Sequence, residues 1–147
     1  MMELSGEKHC VFCSMTEGRL QPVIVTQDDD IMAIMDLFPA SKGHILIFPK
    51  QHIENIYNLP VNLAAPVMRH AVIIAKAIKE QLNPDGINLI QSNDIAAGQT
   101  IPHFHLHIVP RYSEDSVILQ FGHGNTPSDK SDLESIAQRI RSILTNS

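Results

Sequence analysis

Polar and apolar positions alternate strictly through His103-Phe104-His105-Leu106-His107-Ile108. This two-residue period predicts a β-strand over 103–109, with three imidazoles on one face and Phe104, Leu106 and Ile108 on the other. Shorter β-rich runs cover 23–26 and 31–36, and the acidic turn Asp28-Asp29-Asp30 between them predicts a hairpin. After the turn Ser41-Lys42-Gly43, residues 44–48 read as another strand, stopped by Pro49. The period then changes. Val67, Ala71, Ile74, Ala75, Ile78 and Leu82 recur at helical spacing and predict one long helix over 64–82. Proline suits the first turn of a helix, so this one is expected to begin near Pro66, and Asn83-Pro84-Asp85-Gly86 ends it. Residues 87–92 read as a strand, 93–100 as a small-residue loop and 122–129 as a second loop. A last helix is expected from Asp132, with Ser131 and Glu134 as a capping box and Leu133, Ile136, Ala137, Ile140 and Leu144 as its core stripe. Strands grouped around one helix predict an α+β fold: an antiparallel sheet, one long central helix and a C-terminal helix, in a single domain over 1–147.

Composition narrows the function classes. At 147 residues and 44% hydrophobic content the chain can bury a real core. A net charge of −5 with scattered Lys and Arg argues against a duplex nucleic-acid binder. A single nucleotide stays open, because a few local dipoles hold one phosphate. The first ten residues carry no apolar segment, and no apolar run reads as long enough to cross a membrane. The expectation is a cytoplasmic protein with no membrane partner.

Four groups of residues carry candidate chemistry. The histidine row presents side chains that act near neutral pH as nucleophile, acid, base or metal ligand. Packing alone has no use for such a row. Cys10-Val11-Phe12-Cys13 is half a zinc site, for which His9, His52 and His103 are available complements; reduced thiols or a redox pair are the other readings. The redox reading needs a strand-to-helix junction, and the polar stretch 14–19 offers no convincing helix. Asp36, near a strand end, is either a turn cap or an acceptor for ribose hydroxyls. His44 follows Gly43, which allows close backbone approach to a ligand. In the loop 92–100, Gly98 can expose backbone N–H groups, with Asn93, Gln99 and Thr100 as side-chain donors to a phosphate.

Together these residues resemble the histidine triad (HIT) family of nucleotide hydrolases and transferases. His103-Phe104-His105-Leu106-His107-Ile108-Val109 fits the family's alternating histidine pattern in full. The stretch from Gly43 to His52, with Asp36 upstream, is similar to the second family block, and Ala97-Gly98-Gln99-Thr100 to the loop before the triad. Cys10 and Cys13 match the cysteine pair of the zinc-containing bacterial branch. The resemblance implies a homodimer that splits a purine nucleotide substrate at its α-phosphate. His105 would be the nucleophile, with His107 and His44 orienting and polarising. Gln99, Thr100 and Asn93 would hold phosphate, Asp36 would bind ribose, and the base would pack near Phe12 and Ile34. Cys10, Cys13, His52 and His103 would form a closed structural zinc site. Asn93 is followed by Asp94 where many members carry glycine. Two other readings compete: a nucleotide-binding regulatory protein with little turnover, and a metallohydrolase built on an H-x-H pair.

Overall fold

In the computed structural model, which describes residues 9–119 and 127–144, five strands form one antiparallel sheet. They are β1 (Ile24–Gln27), β2 (Ile31–Met35), β3 (Ile45–Pro49), β4 (Gly86–Gln91) and β5 (Leu106–Arg111), in the order β1-β2-β3-β5-β4. The helices are α1 (Val11–Thr16), α2 (Val61–Leu82) and α3 (Lys130–Leu144), with single 3-10 turns at Ile56–Asn58 and Ile95–Ala97. Contacts divide the chain into two compact units, Met1–Val117 and Ile118–Ser147. The α+β architecture and the antiparallel sheet agree with the expectation.

The centre of the sheet is buried on both faces, and alternation sorts its side chains. Ile31, Ala33, Ile45, Ile47, Leu106 and Ile108 pack with Leu63, Val67, Ala71, Ile74 and Ile78 of α2. Each of the Ile, Leu and Val side chains contributes about 1.5–3 kcal/mol by leaving water. Met32, Ile34, Leu46 and Phe48 point the other way, against Cys10, Phe12 and Cys13 at α1. Phe12 stacks on Phe48 with ring centroids 4.3 Å apart. By length and composition alone α2 could cross a membrane, which the sequence reading had excluded; here its buried stripe lies on the sheet.

Several boundaries depart from expectation for local reasons. Helix α2 begins at Val61, so Pro66 stands in its second turn and leaves the Asn62 carbonyl without its usual donor. Asn62 is exposed, where water can serve that group. Helix α1 was not expected; six residues are too few for a periodic signal, and its anchor is the burial of Phe12, Cys13 and Ser14. The histidine strand starts at Leu106, not His103, because the backbone N–H groups of His103 and Phe104 bond to the carbonyls of Ile101 and Ile53. The alternation of faces nevertheless holds. Phe104, Leu106 and Ile108 lie in the α2 core, while His103 and His105 lie against Phe12.

In the second unit, α3 begins at Lys130, and the expected capping box does not form. Asp129 Oδ1 accepts from both the Ser131 N–H and its hydroxyl, so Asp129 takes the capping role. Glu134 pairs with Arg141 instead. Leu133, Ile136, Ile140 and Leu144 stay more than half exposed, so the apolar stripe is not a core. Among the described residues of this unit, α3 has no second element to pack against. Of the expected loop 122–129, residues 122–126 lie outside the described residues.

Candidate functional site

Where β3 and β5 run side by side, Leu46 pairs with His107. The residue before β3 is His44, and the turn leading to it is clamped to the far end of β5. Ser41 Oγ donates to the Pro110 carbonyl at 2.5 Å, and the Tyr112 hydroxyl donates to the Lys42 carbonyl at 2.9 Å. Gly43 completes the clamp. Its φ is +90°, and a Cβ there would lie 2.6 Å from Leu82 Cδ1. The outcome is a 2.9 Å contact between His44 Nε2 and His107 Nδ1.

Hydrogen bonds fix the state of each imidazole. The Ala40 N–H donates to His44 Nδ1 at 3.0 Å, so neutral His44 carries its proton on Nε2 and donates it to His107 Nδ1. The proton of neutral His107 is thereby placed on Nε2, free to serve a reacting group. His105 is set in the opposite sense. Its Nδ1–H donates to the His103 carbonyl at 2.7 Å, which leaves the Nε2 lone pair bare. His105 and His107 have ring centroids 4.9 Å apart. Burial holds the pKa of His105, His44 and His107 below the ordinary histidine value of 6.5, down to about 4 for His107. Neighbouring imidazoles push His107 the same way, and all three stay neutral at pH 7.

Asp36 is a turn cap and also reaches the histidines. Oδ1 accepts from the Phe38 N–H at 2.9 Å, as a turn cap does, while Oδ2 stands 3.5 Å from His44 Nε2. The carboxylate is therefore part of the histidine cluster. Phe12 and Ile34 are 1% and 2% exposed and share one buried cluster, with the Phe12 ring 5.1 Å from that of His105.

The loop donors are mostly committed elsewhere. Asn93 Oδ1 accepts from the Ile56 N–H at 2.8 Å, and its amide donates to Gln91. Gln99 Oε1 accepts from the Asp94 N–H and its Nε2 donates to the Glu54 carbonyl, both at 2.7 Å. Asp94 turns its carboxylate to the Asn55 amide at 3.2 Å. These bonds brace the loop, and they leave Thr100 as the exposed side-chain donor beside backbone N–H groups. Thr100 also lines a cavity of about 530 Å³, with Glu54, Asp94, Ile95, Ala96, Gln99 and Pro102. None of the histidines lines it.

A second cluster lies on the far side of His103. Cys10 Sγ is 3.3 Å from His103 Nδ1, Cys13 Sγ is 3.2 Å from His52 Nδ1, and Cys13 Sγ is 3.7 Å from His103 Nδ1. A tetrahedral zinc ion with ordinary bond lengths sets sulfur and nitrogen about 3.6 Å apart, so the donor set fits that ion. His103 Nε2–H donates to the Pro49 carbonyl at 2.8 Å, which frees Nδ1 as the ligand atom. His9, the other complement considered, is exposed and is not one of the four. Neither cysteine is in a disulfide. Helix α1 does start between them, which supplies half of what a redox pair requires, but both sulfurs face histidines.

Sequence reasoning missed the Ala40 N–H and the Pro49 and His103 carbonyls. These are backbone groups, which almost any residue type would supply (proline has no N–H), so side-chain identity gave no signal for them.

The HIT domain model matches residues 17–114, which include Asp36, His44, His52 and the three histidines but not the cysteine pair. A solved HIT family protein from Bacillus anthracis is 35% identical, with a TM-score of 0.86 over 91% of this chain and 96% of its own. A zinc-bound histidine triad family protein from Mycobacterium smegmatis is 27% identical, with a TM-score of 0.72 over 97% and 100%. Adenosine 5'-monophosphoramidase hnt1 of Schizosaccharomyces pombe is 27% identical over 135 residues, 92% of this chain and 98% of the relative.

Proposed function

This chain belongs to the HIT domain family, and we propose that it hydrolyses nucleotide phosphoramidates or phosphoesters through a nucleotidyl-histidine at His105. The observation that carries the reading is the 2.7 Å hydrogen bond from His105 Nδ1 to the His103 carbonyl, which leaves Nε2 unprotonated. In the first step Nε2 attacks the α-phosphorus, the P–N bond forms and the bond to the leaving group breaks. The leaving group takes a proton from solvent as it departs, held by a hydrogen bond from the Nε2–H of His107, which stays neutral. The phosphorylated His105 keeps its Nδ1–H on the His103 carbonyl, which accommodates the positive charge of the imidazolium. Water then attacks phosphorus and releases its proton to solvent, the P–N bond breaks and His105 returns neutral. Backbone N–H groups of the loop, with Thr100, stabilise the developing charge on the phosphate oxygens.

Asp36 binds the ribose hydroxyls in this reading, and the activity named for the fission-yeast relative supports a purine nucleoside substrate. Zinc, when bound by Cys10, Cys13, His52 and His103, supplies a structural cross-link. A closed set of four protein ligands keeps no position for a reacting water. The unpaired edge of β4, with exposed Leu89, and the exposed Met68 and Val72 of α2 support pairing of two copies.

Adenosine 5'-phosphoramidate incubated with the purified protein should yield AMP. Asp36→Asn should lower kcat/KM for that ribonucleoside more than for its 2',3'-dideoxy counterpart. No hydrolysis of this compound, of aminoacyl adenylates or of dinucleoside polyphosphates would contradict the reading. Equal losses on both sugars would reduce Asp36 to its turn cap.

A further inference from the structure

Among the described residues, two groups of metal-ligating side chains converge, and the zinc candidate accounts for only one. The other consists of Asp36, His44 and His107, whose donor atoms all lie within 4.8 Å of one another. His44 Nε2 is 2.9 Å from His107 Nδ1 and 3.5 Å from Asp36 Oδ2. Two ligands in cis positions of an octahedral ion stand about 3.0 Å apart, and two on a tetrahedral ion about 3.4 Å, for metal bonds near 2.1 Å. The two separations from His44 span that range. Two imidazoles and one carboxylate suit a first-row divalent transition metal, and not calcium or magnesium, which demand oxygen. Asp36 and His107 are only partly buried, which leaves an entry path and room for water ligands.

We propose that Asp36, His44 and His107 form a second metal site, which takes one divalent transition-metal ion through two imidazole nitrogens and one carboxylate oxygen. It is an open site of three protein ligands, unlike the closed cysteine–histidine set. Coordination replaces the proton on His44 Nε2. The ring stays neutral by carrying that proton on Nδ1, which then no longer accepts from the Ala40 N–H. That lost hydrogen bond, and the absence of thiolate ligands, make this the weaker and more readily stripped of the two sites. The metal also occupies His44 Nε2 and His107 Nδ1, the two atoms of the proton link. Where the hydrolysis proposed above is correct, it is therefore a reversible inhibitor, a consequence that rests on that reading while the site does not.

Protein whose cysteine site is filled with zinc should be dialysed against Co(II), with bound metal counted and the visible spectrum recorded. The site predicts one further cobalt per chain, with weak d–d bands and no thiolate charge-transfer band. Asp36→Asn and His107→Ala should each weaken that binding by about tenfold or more, since loss of an outer-shell partner alone costs 10–100-fold in metal sites. In both variants, metal-free protein titrated with cobalt should still develop the thiolate band, which shows an intact fold. Cobalt bound only with the thiolate band, or the further cobalt bound equally well in both variants, would overturn the proposal.

Discussion

At the scale of single residues, the site is a set of protonation states fixed by backbone groups. Ala40 orders His44, His44 orders His107, and the His103 carbonyl orders His105. Because burial lowers the histidine pKa values, the working form is the neutral one, and its acid limit should lie well below that of an exposed imidazole. Protonation would fill the His105 lone pair, and it occurs only below the depressed values. We therefore expect the acid half-point of kcat/KM to lie below 6.5, with the fall extending toward pH 4, where His107 titrates. A half-maximal point at 6.5 or above would contradict the assigned burial. Stability has the same sense: the unfolded chain binds protons first, near 6.5, so each such histidine costs stability as pH falls from there toward its folded value.

At the scale of elements, the sheet and the long helix were legible because each carries a strong period. Ile45 and Ile47 face α2, Leu46 and Phe48 face α1, and the helix stripe from Val67 to Ile78 needs no further signal. Three features were not legible. Helix α1 is too short to show a period, the start of α2 was misplaced by reading Pro66 as a first-turn residue, and the approach to β5 leaves the ladder to bond Ile53. In the site, the side chains were legible as types, but the commitment of Asn93 and Gln99 to loop bracing depends on partners distant in sequence. The cysteine cluster ties three segments together, namely α1, the stretch after β3 and the approach to β5. Cys13→Ser should therefore lose zinc and lower Tm on the order of 10 °C, as a loss of about 3 kcal/mol would give in a chain of this size. Zinc content and Tm both unchanged would leave the pair as ordinary thiols.

At the scale of the whole molecule, the arrangement separates support from chemistry. His103 uses its ring on the cysteine cluster and its carbonyl on His105, so one residue joins the structural set to the nucleophile. Sedimentation should give twice the 16.3 kDa chain mass, with a monomer at micromolar concentration contradicting the proposed pairing. The central claim is that His105 forms a bond to phosphorus, and direct capture of that bond tests it. Wild-type protein mixed with adenosine 5'-phosphoramidate should be quenched within a turnover into alkaline denaturant, where a phosphorus–imidazole bond survives, and read by intact mass and peptide mapping. The account predicts an adenylyl adduct on the peptide holding His105, absent in His105→Ala, with turnover in that variant reduced by at least about three orders of magnitude. An adduct on another residue, or near-normal turnover by His105→Ala, would contradict it.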